Sequence, residues 1–207
     1  MAFGSGALIS AVAYELVAQA FVVSESHATL AAGLFAGAVV YWIGDLLLDR
    51  MSSGSRAEDA SDSSGAAILL GVVLDGIPES LVIGLTLVSG QVSAAMVVGV
   101  FLSNFPEALG STDGMRSAGT SATKIWTIWV IVVVASGVAA AVGFVALDAA
   151  SPAVVAFVLA FAAGAILTML ADTMMPQAFA NGGKATGLVT VAGFALAFGV
   201  SALEHRG

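Results

Sequence analysis

Two short stretches of the chain place a carboxylate, a proline and neutral oxygen donors in the same order. One reads Asp75-Gly76-Ile77-Pro78-Glu79-Ser80-Leu81, the other Ser103-Asn104-Phe105-Pro106-Glu107-Ala108-Leu109. On a helix, Asp75 and Glu79 are four residues apart and share a face, and Ser103 and Glu107 repeat that spacing. Gly76 and Asn104 each precede a glutamate by three and lie beside the same face. A proline inside a helix leaves the carbonyl four residues earlier without its partner. Pro78 would free Leu74 and Pro106 would free Leu102. Carboxylate, amide, hydroxyl and carbonyl oxygens together are the donor set of a cation site. The chain has no Cys and only two His, so thiolate chemistry is excluded.

Both stretches lie inside long apolar runs. An ionised acid at mid-membrane costs roughly 2.5–3.5 kcal/mol on insertion scales. Asp75, Glu79 and Glu107 together would cost about 8–10 kcal/mol on that basis. No Lys or Arg lies in the runs to pair them. A bound cation, or protonation, is what remains to neutralise them.

The elements that must hold these residues are membrane helices. Apolar types make up 59% of the 207 residues and charged types 10%. A soluble domain carries roughly 25% charged residues, too many for this chain to match. Lys+Arg is 6 against Asp+Glu 14, with no basic stripe, which excludes a nucleic-acid partner. Runs of about 20 apolar residues match a bilayer core. Seven are counted: 3–23, 28–48, 66–88, 92–111, 125–147, 153–175 and 185–203. The expected fold is therefore all-α, a polytopic membrane bundle of seven transmembrane helices. Residues 1–207 form a single transporter domain in the lipid bilayer, with a flexible Ser/Asp-rich loop at 49–65.

Orientation follows from basic residues. Arg50, Arg56, Arg116, Lys124 and Lys184 fall in alternate loops, and only Arg206 falls on the other side. The positive-inside rule puts loops 49–65, 112–124 and 180–184 in the cytoplasm and the C-terminus outside. An internal repeat is also present. Residues 3–21 and 161–179 match without gaps at Phe3/Phe161, Gly6/Gly164, Ala7/Ala165, Ala13/Ala171, Gln19/Gln177, Ala20/Ala178 and Phe21/Phe179. The two copies lie five runs apart and so run oppositely. Inverted repeats of this kind occur in secondary transporters. The symmetry expects one further helix before Met1.

The paired Pro-Glu motifs on neighbouring helices resemble the fourth and fifth helices of the ZIP (Zrt/Irt-like) divalent-metal transporters. On that register the seven runs correspond to helices two to eight of eight, with the first absent. The resemblance implies that Glu79 and Glu107 are the two central metal-binding glutamates. It places Asp75 where the fourth helix has His, Gly76 where it has Asn, and Ser103 where the fifth has His or Gln. Asn104 matches a polar position able to serve a second metal. Asp172 precedes Pro176 as an acid or His does in the seventh helix, with Gln177 in place of the usual acid after that proline. A homodimer in the cell membrane is implied as well. The substrate would be Zn, Fe or Mn, with no organic cofactor. Loss of both imidazoles favours harder ions, since oxygen ligands suit Mg, Ca and Mn.

Three more acids lie in or at the ends of the runs. Glu15 reads as an entry or exit ligand or as a protonated packing acid. Asp45 and Asp172 read as lining a cytoplasmic pathway. The expected function is transport of a divalent cation into the cytoplasm. A non-transporting sensor or scaffold with a degenerate site is the alternative. An intramembrane aspartyl protease would need two facing aspartates, such as Asp75 with Asp172 or Asp45. It leaves the Pro-Glu doublets without a role, so no enzyme is expected.

Overall fold

The computed structural model describes residues 1–24, 26–53, 76–87, 93–148 and 150–204, and these are helical almost throughout. In chain order we label α1 (Ala2–Val23), α2 (His27–Ser53), α3 (Gly76–Leu87), α4 (Ala94–Ser117) and α5 (Ala122–Asp148). Then come α6 (152–182) and α7 (Thr186–Glu204). Among the described residues, five helical stretches are long and apolar enough to cross a membrane: Ala2–Val23, His27–Arg50, Ala94–Ser117, Ala122–Val145 and Pro152–Glu204. The last of these breaks at Gly183, whose φ of 55° lies where only glycine sits without strain. There the Thr186 hydroxyl donates to the Ala178 carbonyl at 3.0 Å. The apolar helix α3 is the shorter described piece of the third expected run.

Polar breaks are shorter than composition predicts. α4 continues as helix to Ser117, through nearly half of the expected loop 112–124, and α5 resumes at Ala122. Ser, Thr and Gly there are poor helix formers, yet Thr112 accepts from the Trp129 indole at 2.9 Å, which ties the extra turns to α5. α2 likewise runs to Ser53, into the expected loop 49–65. The remainder of that loop, and Asp75 with it, lies outside the described residues.

Helices pair through glycines, because lipid offers no hydrophobic force to drive them together and close backbone contact must do so. α1 and α7 run parallel. A Cβ at Gly6 would strike the Thr190 carbonyl, and one at Gly193 would strike the Phe3 carbonyl. α2 and α6 run parallel in the same way. A Cβ at Gly164 would strike the Leu34 carbonyl, and one at Gly37 the Phe161 carbonyl. α1 lies antiparallel to α6: Ala2–Ala11 meets Met175–Gly182, and Ala18–Val23 meets Pro152–Met169. Leu8, Val12, Leu16, Leu159, Ile166 and Met169 form the core between them. α4 crosses α1 at Gly4, and α3 packs on α5 at Gly84 and Gly143. α5 turns most of its apolar surface outward, with Val133 and Val145 exposed as a lipid-facing helix would leave them.

One departure from regular helix occurs twice. α1 has a π-helical turn at Val12–Val17 and α6 has one at Leu170–Met174. Each turn is bonded i→i+5 and rotates the side chains beyond it relative to an α-helix. The two turns start 158 residues apart, the same offset that aligns residues 3–21 with 161–179.

Candidate metal centre

Glu79 lies on α3 and is fully buried. α4 brings two neutral groups to it. The Asn104 amide donates to Glu79 Oε2 at 2.7 Å, and the Ser103 hydroxyl lies 3.4 Å from Oε1. Ser103 is also fully buried, and its hydroxyl is closer to the Val100 carbonyl, at 2.9 Å. Three of the oxygen-bearing residues singled out by spacing therefore meet at one junction, although 24 and 25 residues separate the partners in sequence. With its nitrogen committed to Glu79, the Asn104 side chain keeps an amide oxygen of the kind that can accept a hydrogen bond or ligate a cation. Glu107 follows one turn along α4 and is half-buried.

Other predicted residues fall elsewhere. Gly76 faces α5, where a Cβ would lie 3.7 Å from the Ser136 hydroxyl. The Leu102 carbonyl freed by Pro106 packs against Gly4 of α1, where any Cβ would strike it. A Cα–H···O contact between close helices is the recurrent answer to such a carbonyl. Ser103 lies at the same crossing, so Gly4 sets how near α1 comes to the site. Asp75 is outside the described residues. Among the described residues no three His, Asp or Glu side chains converge as metal ligands would.

Glu15 occupies the π turn of α1 and is 1% exposed. The Ser201 hydroxyl of α7 donates to its Oε1 at 2.6 Å, and the Gln19 amide lies 3.4 Å from its Oε2. Asp172 occupies the π turn of α6 but is exposed. Asp45, half-buried on α2, feels the charges of both Asp49 and Asp172. Sequence reasoning named neither Ser201 nor Gln19 as a site residue; Ser201 is marked only as a polar residue inside an apolar run, and Gln19 also by its match to Gln177 in the repeat. A further cavity of about 430 Å³ lies beside Pro106, bordered by Phe3, Gln177, Asn181 and Thr186.

The fold and the site together define a multi-pass helical membrane protein with carboxylates buried between its helices. No protein-family model, no curated protein and no solved structure matches the chain.

Proposed function

We propose that this chain is a transporter that moves a divalent metal cation, of the Zn, Fe or Mn class, through the membrane into the cytoplasm. The observation that carries the reading is the buried Glu79 carboxylate meeting Asn104 and Ser103 between two proline-bearing helices, with no Lys or Arg in residues 76–87 or 94–115. A charge there needs a counter-charge. A cation bound by Glu79, Asn104, Ser103, Glu107 and Asp75 provides one with oxygen ligands only. The resemblance to ZIP transporters belongs to this proposal, and rests on the two Pro-Glu motifs.

The proposed architecture is seven spans with α1 and α6 as inverted partners. Three observations support it. The two π turns share the repeat offset, Gly6 and Gly164 make corresponding contacts, and so do the Phe3 and Phe161 carbonyls. In this reading the α4–α5 and α6–α7 turns face the cytoplasm.

A second reading has its own observation. The hydrogen bonds from Asn104 and Ser103 would equally hold a protonated Glu79 in a sensor or scaffold that binds without transport. Metal uptake by vesicles containing the full chain separates the two. Uptake abolished by Glu79→Gln supports transport, and binding without flux supports the sensor. Cleavage of a membrane peptide, lost in Asp45→Asn, would instead revive the peptidase reading.

A further inference from the structure

The turn between α4 and α5 encloses a cleft that the cation site does not use. Its volume is about 580 Å³, and Thr112, Arg116, Thr120, Trp126 and Trp129 are among the residues that line it. Local rules build the turn. Just past the end of α4, Gly119 takes a φ of 80°, in the left-handed region open to glycine. The Thr120 amide then donates back to the Met115 carbonyl at 2.9 Å, which closes the last turn of the helix. Ser121 caps α5, its hydroxyl accepting from the Lys124 amide at 3.3 Å. Met115, Ile125 and Ile128 are buried together beneath the turn, with Trp129 packed on them. The Trp129 indole donates to Thr112 at 2.9 Å. Both walls of the cleft are therefore held in place.

The cleft lies at headgroup depth and is positive. Arg116 stands 22 residues beyond Ala94 on α4. At about 1.5 Å per residue that is roughly 33 Å, close to the hydrocarbon thickness of about 30 Å. Trp126 and Trp129, in the first turns of α5, share that level. Trp is enriched where lipid meets water. Residues 112–124 hold Arg116 and Lys124 against Asp113, a local excess of positive charge in a chain of net charge −8. Of these three, Arg116 is the one that lines the cleft. A guanidinium offers two parallel N–H donors to a pair of phosphate oxygens. The hydroxyls of Thr112 and Thr120 stand on the same wall system. Thr112 accepts from Trp129, and a hydroxyl that accepts still has a proton to donate.

An apolar bed continues from the cleft on each helix. On α4, Phe101, Phe105 and Leu109 are spaced four apart and lead to Thr112 and Arg116 on the same face. All three apolar side chains are more than half exposed, and the two Phe rings stack with centroids 5.7 Å apart. On α5, Trp126, Val130 and Val133 follow at helical spacing and are exposed as well. The two faces run from the headgroup level toward the middle of the bilayer, and the contacts at the turn leave a wedge between them. A phosphate dissolved in water would need no such bed. A lipid uses both parts, its phosphate in the cleft and its chains in the wedge. Phosphatidylcholine carries the same phosphate, but its own cation would stand beside Arg116. An anionic headgroup brings no such repulsion.

We propose that the wedge between α4 and α5 binds a phospholipid with an anionic headgroup, its phosphate on Arg116 and Thr120 and its chains along Phe105, Leu109 and Val130. The site is separate from the one at Glu79 and stands whether or not the chain transports a cation. Quenching of Trp fluorescence by brominated lipid tests it on the full chain in bilayers. The chain has three Trp, so Trp42→Phe leaves Trp126 and Trp129 as the reporters. Brominated phosphatidylglycerol should quench them at a lower mole fraction than brominated phosphatidylcholine. One basic residue near an anionic surface is worth about a fivefold preference. Arg116→Gln should abolish that preference, and Arg116→Lys should keep part of it, because the charge stays and the fork is lost. Thr120→Val should weaken it with Arg116 intact. Lys184→Gln, at the other basic turn, should leave it unchanged. Equal quenching by the two lipids, as bulk lipid or a second copy seated in the wedge would give, overturns the proposal. So does a preference that survives Arg116→Gln. If excess inorganic phosphate removes the preference in the wild-type cleft, the ligand is a free anion and the lipid assignment falls.

Discussion

At the scale of single residues, the site is defined by what a carboxylate needs when water is absent. Glu79 finds Asn104 at 2.7 Å, and that bond is the closest one it makes to α4. Asn104→Ala removes a donor to a buried carboxylate, a loss worth about 1–3 kcal/mol. We expect a lower melting temperature in detergent and weaker Mn²⁺ binding, measured on the same preparation. Asn104→Asp should instead put a second charge beside Glu79 and make stability depend on added cation. No dependence of the Asn104→Asp melt on Mn²⁺ would mean that the junction does not hold a metal. Metal preference is argued at this scale as well. With Asp75 and Ser103 where imidazoles would favour zinc, hard ions should compete well. Asp75→His should raise the Zn²⁺ to Mn²⁺ ratio in competition binding. An unchanged ratio would remove Asp75 from the ligand set.

At the scale of elements, two devices hold α4 in place. Its N-terminus is capped twice. The Ser93 hydroxyl accepts from Met96 N at 3.1 Å, and the Glu204 carboxylate from α7 accepts from Ala94 N and Ala95 N. A negative group suits the positive end of a helix dipole. Loss of a side-chain cap typically costs about 0.5–2 kcal/mol. Glu204→Ala should therefore destabilise the fold by that order in a thermal melt, more than Ala substitution at the exposed Lys124. Further along α4, Gly4 lets α1 touch Leu102 and Ser103. Gly4→Val must push the two helices apart, and overpacking of this kind costs about 1–3 kcal/mol. Because Ser103 lies at that crossing, uptake should fall further than in Gly110→Val, where a Cβ meets nothing within 4 Å. Equal uptake in the two variants would detach α1 from the site.

At the scale of the molecule, the glycine pairs make two similar units, α1 with α7 and α2 with α6, packed against each other in opposite senses. The proposed orientation follows from the basic residues at the α4–α5 and α6–α7 turns. Single cysteines at Ser26 and Lys184 test it, since the chain has no native Cys. An impermeant thiol reagent added to sealed cells should label Ser26→Cys and spare Lys184→Cys. Labelling of both from the same side would overturn the topology.

Much of this was legible before any coordinates. Helix and membrane follow from composition and run length, because a backbone in lipid must satisfy its own hydrogen bonds whatever its neighbours do. The Pro-Glu motifs and their i, i+4 spacing are local, so Glu79, Ser103 and Asn104 could be named as a set. The alignment of 3–21 with 161–179 marked the two helices that both carry π turns. What the tertiary structure decided is which faces meet. Ser201 reaches Glu15 across 186 residues, and no sequence pattern pairs two helices of nearly uniform hydropathy. A π turn shifts the side chains beyond it around the helix, so regular periodicity misplaces Glu15 and Asp172. The Leu102 carbonyl freed by Pro106 meets Gly4 of α1, because only a glycine on another helix lets backbone approach backbone that closely.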